Sequence, residues 1–342
     1  MRLPLFLVKI LKFEYWTWWA FYLPMLPYWV YWSLRTRSFA YFSVVNPGIE
    51  LGGFFGESKR DILDKIDKNY LPKYLYVENL TFENLKEILE KEQIEFPIIA
   101  KPDVGERGFH VAKITSIEEL EEYHRTNTNP YIIQEYISFE VELGVLYNKM
   151  PNSTKGKVTS LTGKEFLSVV GDGVSPVAKL MEKDPRSQMQ IPRLWEEKKD
   201  LMSLIPQKDE KILLEPIGNH CKGTRFINYN HFINEDVHQV FDKIAESIDG
   251  FYYGRFDLRV KSIEDLYEGK NIKILELNGV SSEPGHIYDI SYTVFRAYRD
   301  LIRHWRIIGK IAIENIKNGI KPVPFSVIIK TYWKHFTVSV KK

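Results

Sequence analysis

Cysteine is almost absent from this 342-residue chain: Cys221 stands alone, so no intramolecular disulfide can staple the fold. No set of Cys and His residues has zinc-ligand spacing, and with the lone thiol this suits a reducing, cytoplasmic setting. The pattern G-x-x-x-x-G-K-S/T occurs nowhere, which excludes a Walker-type phosphate loop. Neither sign of charge is in surplus. Lys+Arg 47 against Asp+Glu 45 leaves a formal charge of +2, so no global field points to nucleic acid as a partner. Internal repeats and low-complexity tracts are missing too. What remains, 44% hydrophobic and 27% charged, is ordinary globular composition with room for an enzyme core.

The N-terminus departs from that average. Tyr15 to Leu34 is an uncharged run of 20 residues that holds five of the eight tryptophans. Its length would permit a membrane span. Against this, Pro24 and Pro27 are expected to interrupt a helix, Trp and Tyr favour the headgroup boundary, and Lys9, Lys12, Arg35 and Arg37 flank the run. The reading is a peripheral anchor lying in the inner membrane face; the alternative is that the aromatics pack on the chain's own body or on a dimer partner. A cleavable signal peptide is not expected, because no small-residue cleavage site is present and apolar sequence continues.

Beyond a Gly-rich connection (Gly48, Gly52, Gly53, Gly56), Ser58 offers a helix N-cap ahead of KRDILDKID. Helical and strand-like runs then alternate: FENLKEILEKEQ, the strand FPIIAKP, a turn, the strand HVAKI, the helical SIEELEEYH and the strand YIIQEYI. Residues 143–230 read as strands and loops, 236–249 as a helix, GRFDLRV and KILELNG as two strands, and Tyr292–Lys317 as a basic amphipathic helix.

Three constellations could carry chemistry. Lys101 ends an apolar strand and is followed by a turn containing Gly105, Arg107 and Gly108, so a point charge and close backbone N–H groups could meet phosphates; an ordinary hairpin turn also explains it. In YIIQEYI, Gln134, Glu135, Tyr136 and Ile137 could offer main-chain groups to an adenine edge, with Glu142 as an acceptor for ribose hydroxyls; a plain strand and a solvated acid explain these equally. The most specific signal is Glu276 and Asn278, two apart and hence on one strand face, with Asp257 in the neighbouring strand. Such hard oxygen donors suit Mg2+ or Mn2+.

Taken in order, these segments resemble the ATP-grasp superfamily over about residues 57 to 290, nearest to D-alanine–D-alanine ligases, glutathione synthetases and cyanophycin synthetase. The resemblance implies an α+β fold in which two α/β subdomains sandwich ATP. It divides the chain into an aromatic segment (1–56) in place of a full preceding domain, a small lid-bearing subdomain (57–137), a catalytic subdomain with the metal site (138–320) and a C-terminal tail (321–342). It implies that Lys59 and Lys101 contact nucleotide phosphates, that the Gly105–Gly108 turn is the lid, and that Gln134 to Ile137 form the adenine hinge with Glu142 at the ribose and Glu140 as its competitor for that place. Asp257, Glu276 and Asn278 become the metal ligands, Arg255 the arginine that stabilises the tetrahedral intermediate, and Lys222 with Arg225 the γ-phosphate contacts. Gly171-Asp172-Gly173 resembles a stretch of the cyanophycin-synthetase-like members.

The expected activity is therefore an ATP-dependent ligase that activates a carboxylate as an acyl phosphate for attack by an amine. Alternatives with the same motifs are phosphate transfer, ligation of a thiol or hydroxyl, or a membrane-associated nucleotide-binding module without turnover. The 56 residues ahead of the ESK motif are too few for the usual substrate-binding domain, and GVSSEPGHIYD after Asn278 departs from the dipeptide ligases. Ser281, Ser282, Glu283 and His286 are thus candidates for a different acceptor site, with a helix cap for Glu283 and a structural role for His286 as the plain alternatives.

Overall fold

A computed structural model describes residues 4–105 and 110–340, with side chains as far as Trp333. Arg107 and Gly108 of the expected lid lie outside the described residues. The class is α+β, as the ATP-grasp resemblance implies: two antiparallel sheets, each with helices on one face, turn their other faces to a shared cleft.

The first sheet runs in the order β1 (Tyr74–Val77), β4 (Tyr131–Glu135), β2 (Ile98–Pro102), β3 (Ala112–Ile114). Its outer face is covered by two helices, Phe82–Lys91 and Ile117–Thr126, whose N-caps Thr81 and Ser116 each accept a backbone N–H three residues on. Leu85, Leu89 and Leu120 from these helices meet Ile98, Ala100, Ile114 and Ile133 from the strands in one core. Lys101 follows Ala100 on β2, so strand alternation turns it to the opposite face.

The second sheet has the order β11 (Ile272–Asn278), β10 (Tyr253–Val260), β5 (Val141–Lys149), β6 (Gly156–Glu165), β9 (Arg225–Asn228). Helix Glu235–Glu246, capped by Asn234, buries Val237, Phe241 and Ile244 against Val145, Phe256 and Leu258. Burial of each large side chain there is worth about 1.5–3 kcal/mol. The register sets Asp257 opposite Glu276 and Arg255 opposite Asn278, which brings both strands' polar residues to the cleft.

Between β6 and β9 the chain departs from the expected strands and loops. A two-stranded sheet of β7 (Ser168–Val170) and β8 (Lys211–Leu213) accompanies four short helices between Val177 and Ser203, closed around Val177, Met181, Leu194 and Met202. Each helix is at most seven residues long, too short for a 3.6-residue period to stand out in the sequence.

Pro24 and Pro27 do not break the N-terminal helix. Trp18–Tyr22, Leu23–Met25 and Leu26–Thr36 follow one another directly, and each proline falls at the first turn of its element, where no intrahelical N–H is needed. This stretch packs on the long helix Val294–Lys317. Trp32 lies over Gly309, where an added Cβ would sit 2.2 Å from the indole. Residues expected as a tail form a further helix, Phe325–Val340. The Gly-rich connection is fixed by buried Asn46, which bonds the carbonyls of Gly52 and Tyr253 at 2.9 and 2.7 Å. Gly53, at φ +75°, lets that turn close onto Gly279 just past the end of β11.

Candidate active site

The cleft between the sheets has a volume of about 850 Å³. Its charged centre is built from side chains of both sheets. On the first sheet, Lys101 is 7% exposed, and its Nζ donates to Gln134 Oε1 at 3.0 Å and to the Leu275 carbonyl at 2.8 Å. Burial pushes its pKa down to about 8, with Glu276 and Asp257 pulling the other way. A cation held by neutral oxygens in a dry site is short of an anion. Gln134 Nε2, also buried there, has no hydrogen-bond partner among the described residues. Lys59, on the helix capped by Ser58, donates to the Gly105 carbonyl at 2.7 Å and lies 3.9 Å from Glu276.

On the second sheet, Asp257 is the hub. Arg255 donates to it at 3.0 Å, Lys164 at 3.0 Å and Asn278 Nδ2 at 3.0 Å. Burial would raise this carboxyl, but Arg255 and Lys164 draw it down to about 2, so it is ionised throughout the neutral range. Glu142 is likewise buried, accepting from Lys164 at 3.2 Å through one oxygen and from Arg259 at 2.9 Å through the other.

Asp257, Glu276 and Asn278 are thus brought together at adjoining strand positions and present oxygen donors only. Among the described residues no group of three or more His, Cys, Asp and Glu side chains could hold a metal, so the third donor of this set is the Asn278 amide. Two carboxylates, one amide and room for water fit a hard divalent cation.

Lys59, Gly105, Gln134, Glu135, Tyr136, Ile137 and Glu142 all reach the cleft wall. The hinge is shifted, however. Inside β4, Gln134 is paired on both sides and Glu135 with Ile98 on one side, its N–H bonding the Lys73 carbonyl on the other, so the main chain leaves the ladder only at Tyr136. Tyr136 lies under Lys113 and Arg259, 3.8 and 5.2 Å from its ring centre, and the Ile137 carbonyl takes a bond from Arg259.

Two expected residues are not brought to the site. Arg225 is exposed on the edge strand β9 and pairs with Glu165 at 3.3 Å and Asp184 at 3.8 Å, away from the cleft. Lys222 ends the 3-10 turn His220–Lys222; His220 and Cys221 face the cleft, and Lys222 does not. Lys164 and Arg259 occupy the cationic positions instead. Arg259 was legible, because Arg255, Asp257 and Arg259 alternate along one face of β10; Lys164 carries no signal until Glu142 is found one row away.

The far end of the cleft was hidden in the sequence. The N-terminal segment forms a wall with Phe13, Glu14, Tyr15, Trp16 and Phe21. Glu14 is turned inward to Arg186 and lies 3.7 Å from His220. Glu283 also lines the cleft rather than capping a helix. Burial pushes its carboxyl up to about 7, and the Tyr288 hydroxyl donates to it. His286 is structural: buried, it bonds Ser160 at 2.7 Å and Asp300 at 3.4 Å. Cys221 is a free thiol, exposed at the wall.

Solved structures similar to this chain include a D-alanine–D-alanine ligase from Bacillus anthracis (12% identity, 77% of this chain and 69% of that chain, TM-score 0.42). Others are the VanG D-Ala:D-Ser ligase from Enterococcus faecalis (13%, 75% and 61%, 0.43) and a bifunctional glutathione synthetase from Pasteurella multocida (16%, 74% and 35%, 0.40). The chain therefore spans about a third of the length of that synthetase. Likeness at such identities and TM-scores carries no functional argument; the weight rests on the residues of the cleft. No protein-family model and no curated protein matches the chain.

Proposed function

We propose that this chain is an ATP- and magnesium-dependent ligase of the ATP-grasp type, which activates a carboxylate as an acyl phosphate and passes the acyl group to an amine. The observation that carries the reading is the buried Lys101 on one sheet, whose hydrogen bonds among the described residues go to neutral oxygens only, facing the Asp257, Glu276 and Asn278 oxygens on the other. A site with a cation lacking its anion on one wall and a hard-metal donor set on the other suits a metal-bound polyphosphate.

In this reading Lys101 and Lys59 receive phosphate oxygens, and the main chain at Tyr136 with the Ile137 N–H, together with the Gln134 amide, receives the adenine. Glu142, anchored by Lys164 and Arg259, keeps lone pairs for the ribose hydroxyls. Asp257, Glu276 and Asn278 would hold Mg2+, which when bound supplies charge neutralisation at the transferring phosphate. A carboxylate oxygen of the substrate attacks the γ-phosphorus and ADP leaves. The amine nitrogen then attacks the acyl carbon, Glu283 takes the proton, and inorganic phosphate leaves as the amide forms. Arg255, fixed by Asp257, faces the developing oxyanion. Lys222 and Arg225 have no part in these steps.

The test is ADP release from Mg·ATP by the purified protein, challenged with pooled amino acids and hydroxy acids, beside Glu276→Ala. Release that depends on a pool and disappears in the variant is expected. Tight ATP binding without release under any pool would overturn the reading in favour of a nucleotide-sensing module.

A further inference from the structure

The two ends of the chain are poor in acid. Among residues 1–49 the sole acid is Glu14, against five Lys and Arg, and no acid follows Glu314. Glu14 is turned inward onto Arg186, so it neutralises nothing on the outer face.

That face is apolar where it is not cationic. Along the helical stretch from Trp18 to Thr36, the side chains of Trp19, Leu23, Leu26, Val30 and Leu34 follow the i, i+4, i+7, i+11, i+15 spacing of one helix face. All are exposed, from 38% at Val30 to 72% at Leu34. Beside it, on the helix Val294–Lys317, Arg296, Arg299, Arg303, Arg306 and Lys310 are all exposed and share one face. Arg299, Arg303 and Arg306 line a shallow groove with Phe295 and Ile302. The two helices adjoin: Tyr22 stacks on Trp305 with ring centres 6.2 Å apart, and the Tyr298 hydroxyl donates to the Phe21 carbonyl at 2.9 Å. Phe325, Ile329 and Trp333 of the C-terminal helix are exposed as well.

We propose that this face docks into the headgroup interface of an anionic lipid bilayer. Tryptophan and leucine side chains gain by burial at the acyl boundary while the arginines meet lipid phosphates. A second copy of the chain is the poorer occupant, because a symmetric interface would bring the same cations together. Among the described residues no helix is long and apolar enough to cross a membrane, so the contact is peripheral. The inner side of the same segment, through Phe13, Tyr15, Trp16 and Phe21, is the cleft wall, so docking sets the cleft at the lipid surface. The docking stands independently of the ligase reading; only the consequence that the substrate is drawn from that surface rests on it.

The experiment is co-sedimentation of the full chain with vesicles of phosphatidylcholine, alone or mixed with phosphatidylglycerol. Binding to the mixed vesicles, weakened by salt, is expected. The variant Arg296→Glu/Arg303→Glu/Arg306→Glu should lower partitioning on the order of 100-fold. Leu23→Ser/Leu26→Ser/Leu34→Ser should lower it by about tenfold or more. None of these six side chains lines the cleft, so melting temperature and ADP release in vesicle-free solution should match wild type; docking and catalysis thereby fail or succeed on separate readouts. Absence of vesicle binding at low salt, equal binding with and without phosphatidylglycerol, or a solution dimer that both triple variants dissociate would overturn the proposal.

Discussion

The cleft and the terminal helices use charge in opposite ways. In the cleft, Asp257 and Glu142 are buried and each is answered by two cations, while among the described residues the Lys101 ammonium is hydrogen-bonded to neutral partners only. On the terminal face the arginines are exposed, and the one acid beside them, Asp300, pairs with Arg299 at 3.5 Å and is itself largely buried. An exposed cation costs folding almost nothing, so its surplus carries information only about partners. A buried charge must be matched or the fold loses several kcal/mol, so the one mismatch in the cleft marks where a ligand completes the balance.

Removing a matched charge should therefore hurt far more than removing the unmatched one. Asp257→Asn leaves Arg255 without its carboxylate and Lys164 with Glu142 alone, and should cost about 3–5 kcal/mol in chemical denaturation, together with loss of turnover. Lys101→Met should do the reverse to stability: the protein melts at the same or a higher temperature, while ATP affinity measured by calorimetry falls by about 100-fold. The sign of the pH effect follows. With a folded pKa of about 8 against the ordinary 10.5, the unfolded chain binds the extra proton between those values, so wild-type stability rises across that window and is flat below it. Lys101→Met should lack the rise, and a rise retained in the variant would assign it elsewhere.

A smaller effect is expected from Glu283. Its carboxyl at about 7 is protonated below neutrality, so turnover should climb through pH 7 as the base ionises. Glu283→Gln should lose about 10²-fold in kcat and the inflection with it; an unchanged profile would remove Glu283 from proton transfer. The smallest effect belongs to Arg225→Ala. Its ion pairs with Glu165 and Asp184 are exposed, so stability should stay within about 1 kcal/mol of wild type and ADP release should be unaffected.

Much of the first sheet and of the β10–β11 hairpin was legible, because their strands combine apolar alternation with a polar residue at one end and their helices carry Thr, Ser or Asn caps. Asp257, Glu276 and Asn278 were legible for the same reason: an acid between Leu275 and Leu277 has to face something. Lys222 and Arg225 were misplaced because sequence order fixes neither the direction of a side chain in a 3-10 turn nor the outward face of an edge strand. Lys164 and Glu14 were illegible for a different reason. Each acquires its role from a partner far along the chain, Glu142 or Asp257 in one case and Arg186 in the other, and no local pattern records such a pairing.

The most direct test of the central claim is positional isotope exchange in ATP carrying heavy oxygen in the β,γ-bridge, with Mg2+ and the carboxylate pool that supports ADP release but no amine. Reversible formation of an acyl phosphate predicts scrambling of the label that requires the carboxylate and is abolished in Lys101→Met. Retention of the label at the bridge while ADP is released with amine present would contradict the acyl-phosphate account.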